Sequence, residues 1–134
     1  MTNTDCVFVV DDDPSARNGL VRLLRTADRD VHAFASVDEF IDALDAEACG
    51  CVVLDARMPG LSGEDLQAAL EARDLTLPII VVTGDDKPET MQKAREMKAA
   101  GFFRKPVDGT ALLDAIAWVL RSSNASGNQE EDQR

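Results

Sequence analysis

The chain has 134 residues, of which 45% are hydrophobic and 29% charged, and its formal net charge is −11. That length suits one domain with a real core, and the acidity excludes a sequence-independent grip on nucleic acid, which needs clustered Lys and Arg. No apolar run is long enough to span a bilayer, and Met1-Thr2-Asn3-Thr4-Asp5 lacks the basic start of a secretory signal, so a cytoplasmic protein without membrane contact is the expectation.

Cys6-Val7-Phe8-Val9-Val10 is an apolar run of strand length that ends in Asp11, Asp12 and Asp13. Asp13 and Pro14 suit the N-cap and first position of a helix whose stripe is Leu20, Val21, Leu23, Leu24 and Ala27. Capping accounts for Asp13 but leaves Asp11 and Asp12, placed directly after apolar residues, without a purpose. Val31-His32-Ala33-Phe34 predicts a short second strand. Ser36-Val37-Asp38-Glu39 is a capping box for a helix carrying Phe40, Ile41 and Leu44, which Gly50 is expected to close. His32, the single histidine, reads as an ordinary strand residue, poorly placed for Ser–His or Cys–His catalysis.

Cys51-Val52-Val53-Leu54 runs without a break into Asp55, and Met58-Pro59-Gly60-Leu61-Ser62-Gly63 follows as a turn. Such a run fits a strand covered on both faces, as in parallel sheets. Asp55 then either caps the strand or lies at its carboxyl end, where open α/β sheets place their ligand crevices. Cys6, Cys49 and Cys51 match no zinc or redox spacing and read as reduced core residues, with a regulatory thiol as the alternative.

A helix with Leu66, Ala69 and Leu70 on one face comes next, then a strand over Leu77-Pro78-Ile79-Ile80-Val81-Val82 that ends in Thr83-Gly84. Asp85, Asp86 and Lys87-Pro88 start a helix over 89–100 in which Met91 and Met97 are the large apolar side chains, so it should be lightly held and partly open to a partner. Gly101-Phe102-Phe103-Arg104 is a short fifth strand ending at Lys105-Pro106. Asp108 caps a last helix with Leu112, Leu113, Ile116, Trp118, Val119 and Leu120. The folded domain is expected over 5–121, and 122–134, which has no large apolar residue, reads as a disordered tail or the start of a linker.

Strands alternating with helices imply right-handed crossovers and a three-layer α/β sandwich around a parallel sheet. All strand carboxyl ends then share one edge, which gathers Asp11, Asp12, Asp55, Thr83 and Lys105. Carboxylates about 4 Å apart repel by roughly 1–4 kcal/mol per pair, so they raise one another's pKa or recruit a cation. Their oxygens, with the carbonyl after Asp55, suit Mg²⁺. Such a set fits phosphoryl transfer to a carboxylate, with Asp55 as nucleophile, Lys105 pairing with a phosphoryl oxygen, Thr83 donating its hydroxyl and Gly84 leaving room for the donor.

Val9-Val10-Asp11-Asp12, Leu54-Asp55-Ala56-Arg57-Met58-Pro59 with Gly63, Val82-Thr83-Gly84 and Phe102-Phe103-Arg104-Lys105-Pro106, in this order and spacing, resemble the receiver domain of bacterial two-component response regulators over residues 5–121, most closely the FixJ-type branch. The resemblance implies a CheY-like, flavodoxin-type (βα)5 fold with strand order 2-1-3-4-5. It implies phosphorylation of Asp55 by a sensor histidine kinase, and Mg²⁺ held by Asp11, Asp12, Asp55 and the backbone carbonyl of Arg57. It further implies a switch in which Thr83 moves toward the phosphoryl group and Phe102, otherwise plain core filling, turns inward. The fourth helix, fifth strand and fifth helix would form the output face and a possible homodimer surface. Output would pass to a DNA-binding domain beyond a linker or to a separate protein target.

Lys98 stands where the family often has Gly, and Lys98-Ala99-Ala100-Gly101 moves the glycine later, so a reshaped turn is expected. Two other readings compete with the switch. One is a phosphorylation-independent interaction module. The other is an enzyme on a similar sheet, either an aspartyl-phosphate phosphatase, which would need an acid where Arg57 stands, or a flavin binder, for which aromatics are few.

Overall fold

A computed structural model describes residues 5–58 and 62–132, with side chains described through Ser122. The order is β1 (Cys6–Val10), α1 (Pro14–Thr26), β2 (Asp30–Phe34), α2 (Val37–Ala43), β3 (Gly50–Leu54), α3 (Gly63–Ala72), β4 (Ile79–Thr83), α4 (Pro88–Glu96), β5 (Gly101–Arg104) and α5 (Gly109–Asp132). The strands form one parallel sheet in the order β2-β1-β3-β4-β5. Of the turn predicted over 58–63, residues 59–61 lie outside the described residues, and Ser62 and Gly63 open α3.

The unbroken apolar runs follow from burial on both faces. Alternate residues of a strand point to opposite sides. Phe8, Val10, Val52, Leu54, Ile79 and Val81 face a core closed by Phe40, Leu66, Leu70 and Met97, from α2, α3 and the end of α4. Val7, Val9, Cys51, Val53, Ile80 and Val82 face a second core closed by Leu24 of α1 and by Leu112, Ile116, Val119 and Leu120 of α5. The edge strands β2 and β5 are more exposed.

Capping residues set where the helices begin. Asp13 accepts from the Ser15 amide at 3.2 Å, Ser36 from Glu39 at 3.1 Å, Ser62 from Asp65 at 3.2 Å and Asp108 from Ala111 at 3.1 Å. Glu39 answers one residue earlier than a capping box would, accepting from the Ala35 amide at 3.1 Å.

Three expectations need correction. Gly50 does not close α2, which ends at Ala43 with Leu44 as its cap. It is the first residue of β3, with φ +130°, and a Cβ there would collide with the backbone carbonyl of Cys6 on β1. The turn after α4 is not reshaped by the missing glycine, because Lys98 itself takes the left-handed conformation at φ 56°. The turn closes with the Lys98 amide on Arg95 O at 3.0 Å and the Ala99 amide on Ala94 O at 3.1 Å. The α4 helix is shorter than 89–100 and better held than its composition suggests. It buries Thr90 and Ala94, Met97 at its end is buried, and Gln67 of α3 donates to the carbonyl of Met97. The α5 helix is described as far as Asp132.

Candidate functional site

The edge formed by the strand carboxyl ends is built by backbone bonds that tie each strand tip to its neighbour. The Asp11 amide donates to Phe34 O at 3.1 Å, the Asp55 amide to Val10 O at 3.1 Å and the Lys105 amide to Thr83 O at 2.8 Å. The side chains of Asp11, Asp55 and Lys105 therefore start from one rigid edge despite their separation in sequence.

Lys105 Nζ lies 3.2 Å from Asp11 Oδ2 and 3.2 Å from Asp55 Oδ2, so one ammonium joins both acids. The remaining oxygen of each acid is held locally. Asp11 Oδ1 accepts the Asp13 amide at 2.9 Å, and Asp55 Oδ1 accepts the Arg57 amide at 2.9 Å. Asp11 is buried at 1% exposure, whereas Asp12 beside it is exposed. Burial alone would lower the pKa of Lys105; the charges of Asp55 and Asp11 outweigh it and hold the ammonium above its ordinary value.

Thr83, the last residue of β4, is fully buried, and its Oγ1 has no hydrogen-bond partner. A buried hydroxyl without a partner costs about 1–3 kcal/mol, which makes it a poor stability feature and a ready donor for a group arriving at this edge. Phe102 on β5 is half-buried against the core beneath α2, α3 and α4.

Arg57 enters the expected metal site through its carbonyl, and its side chain also shapes the mouth. Its Nε is 3.2 Å from Asp85 Oδ2, and its guanidinium stands over Gly84, where a Cβ would come within 2.8 Å of it. Gly84 thus makes room for Arg57 before any donor approaches. The Thr90 hydroxyl and the Lys87 amide, with Arg57 also contributing, hold the Asp85 carboxyl below its ordinary pKa. Arg17 donates to Asp11 O at 2.8 Å and Lys93 to Ala56 O at 3.5 Å, supports from α1 and α4 that linear spacing did not reveal.

The donors available to a cation here are the carboxylates of Asp11, Asp12 and Asp55 and the carbonyl of Arg57, all hard oxygens of the kind Mg²⁺ takes. The three acids are not gathered within 4.8 Å of one another. They fit by chemistry, with exposed Asp12 as the adjustable member. The cysteines lie at the other end of the strands, where Cys6 opens β1 and Cys51 follows the first residue of β3. Burial pushes the Cys6 and Cys51 thiols up to about 12, away from the thiolate a redox sensor needs.

The model of the response regulator receiver domain matches residues 7–117. The chain belongs to the response regulator receiver family. Receivers of this kind are signalling switches rather than enzymes that turn over a substrate. Among similar proteins, the transcriptional regulatory protein TdiR of Thauera aromatica is 36% identical over 132 residues, which are 98% of this chain and 58% of that protein. The transcriptional regulatory protein FixJ of Azorhizobium caulinodans is 37% identical over 125 residues, 93% of this chain and 59% of that one. The receiver chain thus spans under two thirds of the length of these relatives. Full-length FixJ from B. japonicum superposes with a TM-score of 0.82 at 32% identity, covering 97% of this chain and 64% of that one. A CheY-like receiver from Methanospirillum hungatei, at 22% identity and TM-score 0.79 over 92% of this chain and 99% of that one, shares the fold. Among the described residues no helix of the receiver is long and apolar enough to cross a membrane.

Proposed function

We propose that this receiver is the phosphoacceptor of a two-component phosphorelay, taking a phosphoryl group from a sensor histidine kinase onto Asp55 with Mg²⁺ bound. The observation that carries the reading is the acid pair held on Lys105 at the edge where Thr83 keeps an unused buried hydroxyl. One carboxylate oxygen of Asp55 attacks phosphorus as the P–N bond to the kinase histidine breaks, and the bonding pair returns to the imidazole nitrogen. Lys105 exchanges its contact with Asp55 Oδ2 for a phosphoryl oxygen, and Thr83 supplies a donor to another.

Asp11, Asp12, Asp55 and the Arg57 carbonyl would hold the ion. Bound there, Mg²⁺ neutralises oxygens of the transferring group. Water attack on the acyl phosphate at the same edge returns the switch to rest, so the receiver also catalyses its own dephosphorylation.

Phosphorylation adds about −1.5 to −2 charges at one strand tip. Movement of Thr83 toward that charge opens space for half-buried Phe102 to turn inward, which alters the face made by α4, β5 and α5. Trp118, 60% exposed on α5, offers an apolar contact of the kind a docking surface uses. Output then runs to a DNA-binding domain, in line with relatives named as transcriptional regulators, or to a separate protein, and a homodimer would form through the same face. The setting is the cytoplasm, and this domain itself touches neither nucleic acid nor membrane.

The test is intact-protein mass spectrometry after incubation with Mg²⁺ and acetyl phosphate, beside Asp55→Asn. Gain of one phosphoryl group in the parent alone is the expected result. No gain there, and none from candidate kinases, would leave a phosphorylation-independent interaction module.

A further inference from the structure

At the opposite end of the sheet lies a second cluster of reactive side chains. The β1 and β2 strands run parallel with Cys6 beside Asp30 and Phe8 beside His32. Asp30 and His32, two residues apart on one strand, project to the same side, and Cys6 joins them from the neighbouring strand. The Cys6 sulfur, a carboxylate oxygen of Asp30 and a ring nitrogen of His32 all lie within 4.8 Å of one another. Among the described residues this is the one trio of Cys, His, Asp or Glu drawn so close.

We propose that Cys6, Asp30 and His32 form a three-ligand site for a borderline divalent cation of the Zn²⁺ class. Ligands of a tetrahedral ion sit about 3.3–3.8 Å apart at metal–ligand distances of about 2.0–2.3 Å, so small rotamer changes close this trio around one ion. Sulfur and imidazole donors favour Zn²⁺ over Mg²⁺, which prefers a set made wholly of oxygen. The His32 ring is already oriented by stacking on Phe8, with centroids 6.2 Å apart and planes 27° apart, and Phe8 is packed on Phe40 at 5.4 Å.

The surroundings suit an entry path. Cys6 is buried, while Asp30 and His32 are exposed. All three line a cleft of about 390 Å³ between β1, β2 and the segment leading into β3. Asp45, Glu47 and Cys49 line the same cleft, and the fourth position falls to one of them or to water. An ion held here would pin the starts of β1 and β2 together without touching the acids at the other sheet edge.

The experiment is a Co²⁺ and Zn²⁺ titration of the whole chain in excess Mg²⁺, which saturates the Asp11, Asp12 and Asp55 edge. The parent, Cys6→Ser, His32→Gln and Cys49→Ser are compared, with far-UV circular dichroism to confirm folding. One Co²⁺ per chain with a thiolate charge-transfer band is expected for the parent. The band should vanish in Cys6→Ser, and affinity should fall by about 100-fold or more in His32→Gln, beyond what removal of an outer-shell partner causes. Cys49→Ser should keep the band. His32→Gln alters an exposed residue, so it stays informative even where Cys6→Ser fails to fold. Absence of saturable binding in excess Mg²⁺, or binding that survives His32→Gln undiminished, would overturn the proposal.

Discussion

Replacing Lys105 with Met leaves two acids facing each other without their shared cation, and the cost follows from the geometry. Asp11 Oδ2 and Asp55 Oδ2 each lie 3.2 Å from Lys105 Nζ, and their side chains are only 2% and 12% exposed. Two like charges about 6 Å apart repel by about 0.7 kcal/mol at the dielectric of water and about 2.8 kcal/mol at an effective dielectric near 20. With Lys105 itself 30% exposed, a loss of about 1–3 kcal/mol is expected, below the cost of breaking a fully buried pair. Urea unfolding at neutral pH in chelator measures it as a lowered midpoint at unchanged slope. Saturating Mg²⁺ should recover part of the loss, because a cation that binds only the folded state stabilises it by mass action. In the parent the pairing has its own pH signature. The folded pKa of Lys105 is raised, so its contribution is complete below the unfolded value of about 10.4 and fades as pH rises through the folded value. An unchanged midpoint for Lys105→Met in chelator would show that the ammonium does not hold these acids.

The remaining predictions concern single positions. Lys98→Gly should raise stability by about 0.5–1 kcal/mol in urea unfolding, since a left-handed residue with a side chain costs about 1–2 kcal/mol and glycine returns part of that as lost entropy. Thr83→Val removes the orphaned hydroxyl at nearly constant shape, so the urea midpoint should hold or rise by about 1 kcal/mol equivalent, while amide exchange over α4 and β5 should stop responding to phosphorylation. A stability loss from Thr83→Val would mean the hydroxyl has a partner after all. Gly63→Ala should cost about 1–3 kcal/mol and speed exchange in α4, because its Cβ would meet the Lys93 carbonyl at 2.7 Å and Glu96 Cβ at 2.8 Å.

Much of the fold is legible because local signals agree with burial. The runs at Cys6–Val10, Gly50–Leu54 and Ile79–Val82 are apolar because helices cover both faces of those strands, and Asp13, Ser36 and Asp108 mark helix starts by capping them. Strand order came from family resemblance rather than from pattern, since alternation alone leaves it open. What stayed hidden depends on contacts between distant segments. Gly50 looks like a helix stop until β1 is seen pressed against it. Part of the grip on α4 comes from Gly63 and Gln67 of α3, which the composition of α4 does not show. Arg57 over Gly84 and the Cys6–Asp30–His32 trio exist only once loops and strand register are set.

The acid-rich edge makes sense as a balance held short of neutrality. Asp11, Asp12 and Asp55 against Lys105 leave two negative charges in excess, tolerable because Asp12 sits in water and the other two acids share an ammonium. A second lysine would cancel part of that excess permanently and remove the attraction for a divalent cation. Keeping the deficit leaves the edge responsive to whatever positive charge arrives, and the unused Thr83 hydroxyl leaves it responsive to an arriving acceptor. Both features cost stability in the resting fold. The wide, fully apolar cores on the two faces of the sheet offset that cost, so the edge can remain unsatisfied while the sheet beneath it stays rigid.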